Sequence, residues 1–199
     1  MITELEIKRQ LMHIFSGILI VLLLYFDLIN SLILFILVVV GFILSFLSKK
    51  IKIPVIYSFL KTFDREEDLK KFPGKGSIFY VLGAFLATLF FQKDIAMASI
   101  IILALGDSVS RIVGPYGYLK HPFHSEKFLE GIIAGAFTGF VGAMFFVSWQ
   151  SAAIASTISM LIEGIDLRVK GFKIDDNLTI PLVAGFVMWL LRNIFLFAV

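Results

Sequence analysis

The chain has 199 residues, of which 59% are hydrophobic and only 17% charged, and its mean hydropathy is +0.95. Soluble domains carry about 25% charge, so the composition excludes an ordinary soluble protein and implies a single integral membrane domain spanning residues 1–199. The absence of cysteine excludes disulfides, thiolate metal sites and cysteine nucleophiles, and the formal charge of +3 reads as loop bias, with no nucleic-acid partner implied.

Seven apolar segments follow one another, so the expected fold is an all-α integral membrane protein with about seven transmembrane helices. The first, about Leu11 to Leu28, follows Lys8-Arg9; it is too long for a signal peptide and lacks a small-x-small cleavage site, so it reads as a retained span. The second, about Ser31 to Ser48, follows after a tight turn. The polar loop Lys49–Gly76 comes next. Within it Val55, Ile56, Phe59, Leu60 and Phe63 recur at helical spacing opposite Lys61, Asp64, Arg65 and Asp68, which predicts an interfacial amphipathic helix ended by Pro73-Gly74.

Segment three is about Ser77 to Phe91, and segment four about Ile95 to Val113. A loop from Gly114 to Glu126 leads to segment five, about Phe128 to Val147, where Gly131, Gly135, Gly139 and Ala143 form a small-residue stripe suited to close helix contact in lipid. Segment six is about Gln150 to Ile165. A polar run from Asp166 to Asn177 precedes segment seven, about Leu178 to Phe197. With the N-terminus in the cytoplasm, sixteen of the eighteen basic residues fall on the cytoplasmic side, all but Lys93 and Arg192. The positive-inside rule favours that orientation, and it gathers every polar cluster on one face.

Asp107, Ser110, Arg111 and Gly114 share one helix face by their i, i+3, i+4, i+7 spacing. A charge at membrane depth costs roughly 2.5–3.5 kcal/mol on insertion scales and faces a polar interior or a partner. Asp107 and Arg111 are therefore either a self-neutralising pair that glues helices or part of a metal-binding or catalytic pocket. The loop from Gly114 to Gly117 offers backbone amides to phosphates. Lys127, a point-charge phosphate ligand or a snorkelling anchor, and Glu130, a divalent-ion ligand, follow at the head of segment five. His121 and His124 lack a third ligand nearby, which disfavours zinc. Glu6, Lys8, Arg9 and His13 precede the first span as a basic juxtamembrane cluster. Glu163, Asp166, Asp175, Asp176 and Asn177 form a second acidic one; Asp175-Asp176-Asn177 before an apolar run is also a helix cap, with Pro181 in the first turn.

Asp107-x-x-Ser110-x-x-x-Gly114, then Gly117, then Lys127-x-x-Glu130-Gly131 resembles the CTP-binding signature of dolichol kinase and its relatives, phytol kinase and the yeast-type diacylglycerol kinase; CDP-diacylglycerol synthase is a more distant cousin. Lys8-Arg9-x-x-x-His13 resembles the family's basic pair and histidine, and Asp175-Asp176-Asn177-Leu178-Thr179-Ile180-Pro181 is similar to its DDNLT-P block. Phe128 departs from the pattern, standing where the family has Ser or Thr, and the spacing after Gly114 is one residue short.

The resemblance implies transfer of the γ-phosphoryl of CTP to a membrane lipid alcohol, polyprenol- or dolichol-like before phytol, geranylgeraniol or diacylglycerol. It implies Mg²⁺ on Asp107 and Asp176, one of which alternatively serves as base. Lys8, Arg9 and Lys127 hold phosphates, with Ser110, Arg111, Gly114, Gly117 and Gly131 around the nucleotide. Glu130 and Asn177 complete the metal or ribose contacts, and His13, Glu163 and Asp175 stand nearby. Two rival readings are a cytidylyltransferase making a CDP-lipid and a small transporter.

Overall fold

The stretch Lys93–Tyr116 is the axis of the molecule: 78% of its apolar window is buried, against 17–33% for the other long apolar helices. The computed structural model describes residues 2–121, 124–165, 168–169 and 172–197. Ten α-helices are described: α1 (Glu4–Tyr25), α2 (Ser31–Ser48), α3 (Pro54–Phe63), α4 (Glu66–Lys71), α5 (Lys75–Phe90), α6 (Lys93–Ile101), α7 (Ser108–Val113), α8 (Leu129–Ala143), α9 (Trp149–Glu163) and α10 (Asp176–Phe197). A π-helical turn, Ile102–Asp107, joins α6 to α7, and a 3₁₀ turn, Gly114–Tyr116, follows.

Each of the seven apolar segments is a helix. Four stretches are long and apolar enough to cross a membrane: Glu4–Tyr25, Ser31–Ser48, Lys93–Tyr116 and Asp176–Ile194. α5 and α8 are apolar but shorter. The axis packs against α1, α8 and α10, while α2 packs on α5 at the periphery. Large apolar side chains of α1 and α2, among them Leu11, Phe15, Phe35, Ile36 and Phe46, are exposed. Exposure on that scale suits hydrocarbon and not water, and the protein is an all-α integral membrane protein.

The glycine stripe of α8 explains how the axis is gripped. A Cβ on Gly135 would sit 2.5 Å from the Gly106 carbonyl oxygen, and one on Gly131 2.8 Å from the Gly114 Cα. Two backbones therefore meet where no side chain fits. The amphipathic loop helix is realised as α3, with Leu60 buried and Val55 exposed; α4 continues it after a break.

Three sequence expectations are revised. The Glu6–His13 cluster lies on α1 and not before it, because Thr3 caps the helix by accepting from the Glu6 amide at 3.2 Å. Pro181 lies inside α10, beyond the first turn, so the Asn177 carbonyl four residues earlier loses its helical donor. Two short antiparallel hairpins stand where loops were read: β1 (Lys120–His121) with β2 (His124–Phe128), and β3 (Arg168–Val169) with β4 (Phe172–Lys173). Asp166 lies outside the described residues, as do the side chains of His121 and His124.

Candidate active site

Asp107 is the last residue of the π-helical turn and is 1% exposed. A π turn is rare, unwinds the helix locally and occurs often at functional sites. Arg111, one α-turn on, donates from Nε to both oxygens of Asp107, at 2.8 and 2.9 Å. Its Nη2 reaches across to Asp176 Oδ2 on α10 at 2.9 Å. One guanidinium thus ties the axis to the start of the last helix.

Glu163, at the C-terminal end of α9, completes the group. Its side chain is 1% exposed. Asp107, Glu163 and Asp176 each present a carboxylate oxygen, all within 4.8 Å of one another. Lys127 Nζ donates to both the carboxylate and the backbone carbonyl of Glu163. Three carboxyl groups thus share two cations, Arg111 and Lys127. The second oxygen of Glu163, Oε2, is buried and has no partner among the described residues.

A cavity of about 400 Å³ opens beside this group. Its walls come from α1 (Arg9, Gln10, His13), α3 and α4 with their junction (Phe59, Phe63, Asp64, Arg65, Asp68), α5 (Lys75, Gly76, Ser77, Tyr80) and the head of α10, and Asp107 and Arg111 also line it. Glu6, Arg9, Gln10 and His13 fall at i, i+3, i+4, i+7 on one face of α1, which turns Arg9 and His13 inward. His13 Nε2 lies 3.8 Å from Asp107 Oδ2 and its ring meets Tyr80 edge-on, centroids 4.2 Å apart. Asp175 caps α10, accepting from the Asn177 amide at 3.2 Å. Burial pushes its carboxyl above the ordinary range, against that amide and Lys75. Burial likewise raises Asp64, opposed by the Gly74 amide it accepts.

The structure brings together Arg9, His13, Asp107, Arg111, Asp175, Asp176 and Asn177 around the cavity, with Glu163 and Lys127 behind Asp107. Other expected ligands are committed elsewhere. Glu130 accepts the amides of Tyr118 at 2.8 Å and Leu119 at 3.0 Å, so it pins the loop after α7 and stands outside the acid group. Gly114 and Gly131 face each other in the α7–α8 contact, where Ser110 is also buried. A Cβ on Gly117 would meet the Glu130 carboxylate at 2.6 Å. These glycines therefore serve close packing and do not line the cavity. Lys8 points away and pairs with Glu4 at 2.6 Å. Lys127 holds Glu163 and is not on the cavity wall.

Gln10 stands within the Glu6–His13 cluster but was given no role in the site, and Tyr80 was missed. Both are buried on the cavity wall, and among the described residues Gln10 Oε1 and Tyr80 Oη have no hydrogen-bond partner. The i+4 spacing of Gln10 from Glu6, on the face that carries Arg9 and His13, was the available signal for the first; a tyrosine in a span gives none for the second.

No family model matches the chain, and no solved structure matches it. An uncharacterized protein of Methanocaldococcus jannaschii is 30% identical over 187 residues, 92% of each chain. The CTP-dependent diacylglycerol kinase 1 of Eremothecium gossypii is 29% identical over 140 residues, 57% of this chain and 43% of the kinase. The chloroplastic farnesol kinase of Arabidopsis thaliana is 29% identical over 150 residues, 65% of this chain and 48% of that one. Over 57–65% of its length the chain is thus similar to kinases named for lipid alcohols, one of them CTP-dependent. It spans less than half the length of these two kinases.

Proposed function

We propose that the protein transfers the γ-phosphoryl group of CTP to the hydroxyl of a membrane lipid alcohol. The observation that carries the reading is the junction of two unlike surroundings. A cavity lined by Arg9, Arg65, Lys75 and Arg111 ends on Asp107 and Asp176, while apolar helices flank it. A charged donor and an apolar acceptor need such a meeting place. Phosphoryl transfer asks a protein mainly for positioning and charge neutralisation.

Asp107, Glu163 and Asp176 fit a divalent cation such as Mg²⁺: the three oxygens converge, and among the described residues Glu163 Oε2 has no partner. When bound, the ion would supply charge neutralisation at phosphate oxygens. The remaining work falls to the chain's own side chains. Arg111 fixes Asp107 and Asp176 relative to each other, and Lys127 fixes Glu163. The hydroxyl proton passes to Asp107 or Asp176 as the oxygen–phosphorus bond forms and the bond to CDP breaks. The acceptor chain lies along the apolar helices. An isoprenoid alcohol of polyprenol type is the first acceptor to test, with phytol, farnesol and diacylglycerol beside it.

The test is incubation of purified protein with [γ-³²P]CTP, Mg²⁺ and those alcohols. The expected products are a labelled lipid phosphate and CDP, with the transfer lost in excess EDTA. A CDP-lipid and pyrophosphate would establish a cytidylyltransferase instead, and full activity without divalent ions would remove the metal from the three acids.

The seven apolar helices all cross the bilayer in this reading, and the cavity faces the cytoplasm, as the sixteen basic residues on that side favour. Ser58 and Lys120 are exposed. Cysteines placed there react with an impermeant thiol reagent only from the cytosolic side; labelling from outside intact cells would overturn the orientation.

A further inference from the structure

The backbone amides that a phosphate needs stand at the head of α5. Gly74 adopts a left-handed conformation, φ 75°, and its amide donates to Asp64 Oδ2 at 2.6 Å, which starts the 16-residue helix at Lys75. Ile78 takes up the Gly74 carbonyl, and the Lys75 amide bonds the Phe72 carbonyl. Among the described residues, the amides of Gly76 and Ser77 have no acceptor. Both residues line the cavity. The first-turn amides and the dipole of a helix of this length make an anion site.

Cations surround that turn. The Arg9 guanidinium lies close enough to Gly76 that a Cβ there would stand 3.8 Å from its Nη2. Arg65 and Lys75 line the same wall. Each leans on a carboxylate, Arg65 on Glu6 at 3.1 Å and Lys75 on Asp175 at 3.6 Å, and both side chains are near half exposed. An independent sign of a ligand is Gln10. It is 3% exposed, on the cavity wall, and among the described residues its Oε1 has no donor. A nucleotide answers both needs, with phosphate oxygens for the amides and cations and a hydroxyl or amino donor for Gln10. Burying a polar atom without such a partner is costly.

We propose that Lys75, Gly76 and Ser77, with Arg9 and Arg65, bind the triphosphate of the donor nucleotide. Arg65 and Lys75 are then phosphate ligands supplied from the interfacial helices and the head of α5. Arg9 keeps the role its motif suggested. This rests on the kinase reading above.

The test is equilibrium dialysis of the full chain in detergent with radiolabelled CTP and Mg²⁺, without lipid. Inorganic tripolyphosphate displaces the CTP. Arg65→Gln and Lys75→Gln each weaken CTP binding by about tenfold, one charge-assisted contact's worth. Lys75→Arg stays close to wild type. Lys71→Gln, an equal charge change on a side chain 82% exposed and outside the cavity, leaves binding unchanged. Size-exclusion elution checks the fold, and Arg65→Gln on the surface carries the test if Lys75→Gln is unstable. Wild type that binds CTP with both variants unaffected overturns the phosphate site alone. Wild type that binds no CTP overturns the kinase reading with it.

Discussion

Asp107→Asn protein folds, elutes as the wild type does and transfers phosphate at least about a hundredfold more slowly, the range expected for losing a positioned acid or base. The fold survives because Arg111 keeps a second partner. Its Nη2 bonds Asp176 Oδ2 at 2.9 Å independently of Asp107, so the substitution does not strand a buried cation. The asparagine is nearly isosteric, and its side-chain oxygen still accepts from Arg111 Nε. What is lost is the charge at the end of the cavity, where the acid group meets the acceptor hydroxyl. The rival is a purely structural ion pair. It requires that Asp107→Asn melt early, and that replacing Asp107 and Arg111 together by apolar residues restore both stability and turnover, as happens when buried pairs are exchanged for well-packed apolar groups. Turnover beside thermal stability for the single and double variants separates the two. Near-normal transfer in stable Asp107→Asn protein would take this residue out of the chemistry.

How much of this was legible beforehand follows from which physical signals are local. Hydropathy placed all seven apolar helices, because each needs only its own residues to be apolar. The i, i+4 spacing placed Arg111 over Asp107 for the same reason. The π-helical turn was not legible, since Ile102–Asp107 reads as ordinary apolar helix and its hydrogen-bond register is set by packing on α8 and α10. The glycines misled in a specific way. A phosphate loop and a close helix crossing both require a missing Cβ, so Gly114, Gly117 and Gly131 fitted either use, and only the facing backbones decide. Gly76 and Ser77 drew no notice for the opposite reason: they stood where the Lys49–Gly76 loop gives way to segment three and looked like a mere boundary. Glu163 was visible as an acid, but its place depends on α9 packing between α8 and α10, a tertiary fact. Glu130 shows the limit of motif spacing: three residues after Lys127 it leaves the lysine's neighbourhood and caps the loop.

Lys127 is where phosphate binding and scaffolding give opposite results. Its Nζ reaches the Glu163 carboxylate and backbone carbonyl, and Glu163 is 1% exposed. Lys127→Ala removes the direct partner of a buried charge, a loss that costs about 3–5 kcal/mol when the remaining charge is wholly buried. The variant is therefore expected to melt well below wild type in detergent. Glu163→Gln placed in a Lys127→Met background removes the stranded charge and recovers most of the stability. Transfer stays low in the double variant, because the acid group has lost one of its three carboxylates. The affinity for CTP measured without lipid and without divalent ion stays near wild type in that double variant, since Lys127 is not on the cavity wall. A lysine that held phosphate would behave otherwise: Lys127→Ala would remain stable and bind CTP weakly. A stable, weak-binding Lys127→Ala would return the residue to the nucleotide and leave Glu163 without the group that now fixes it beside Asp107.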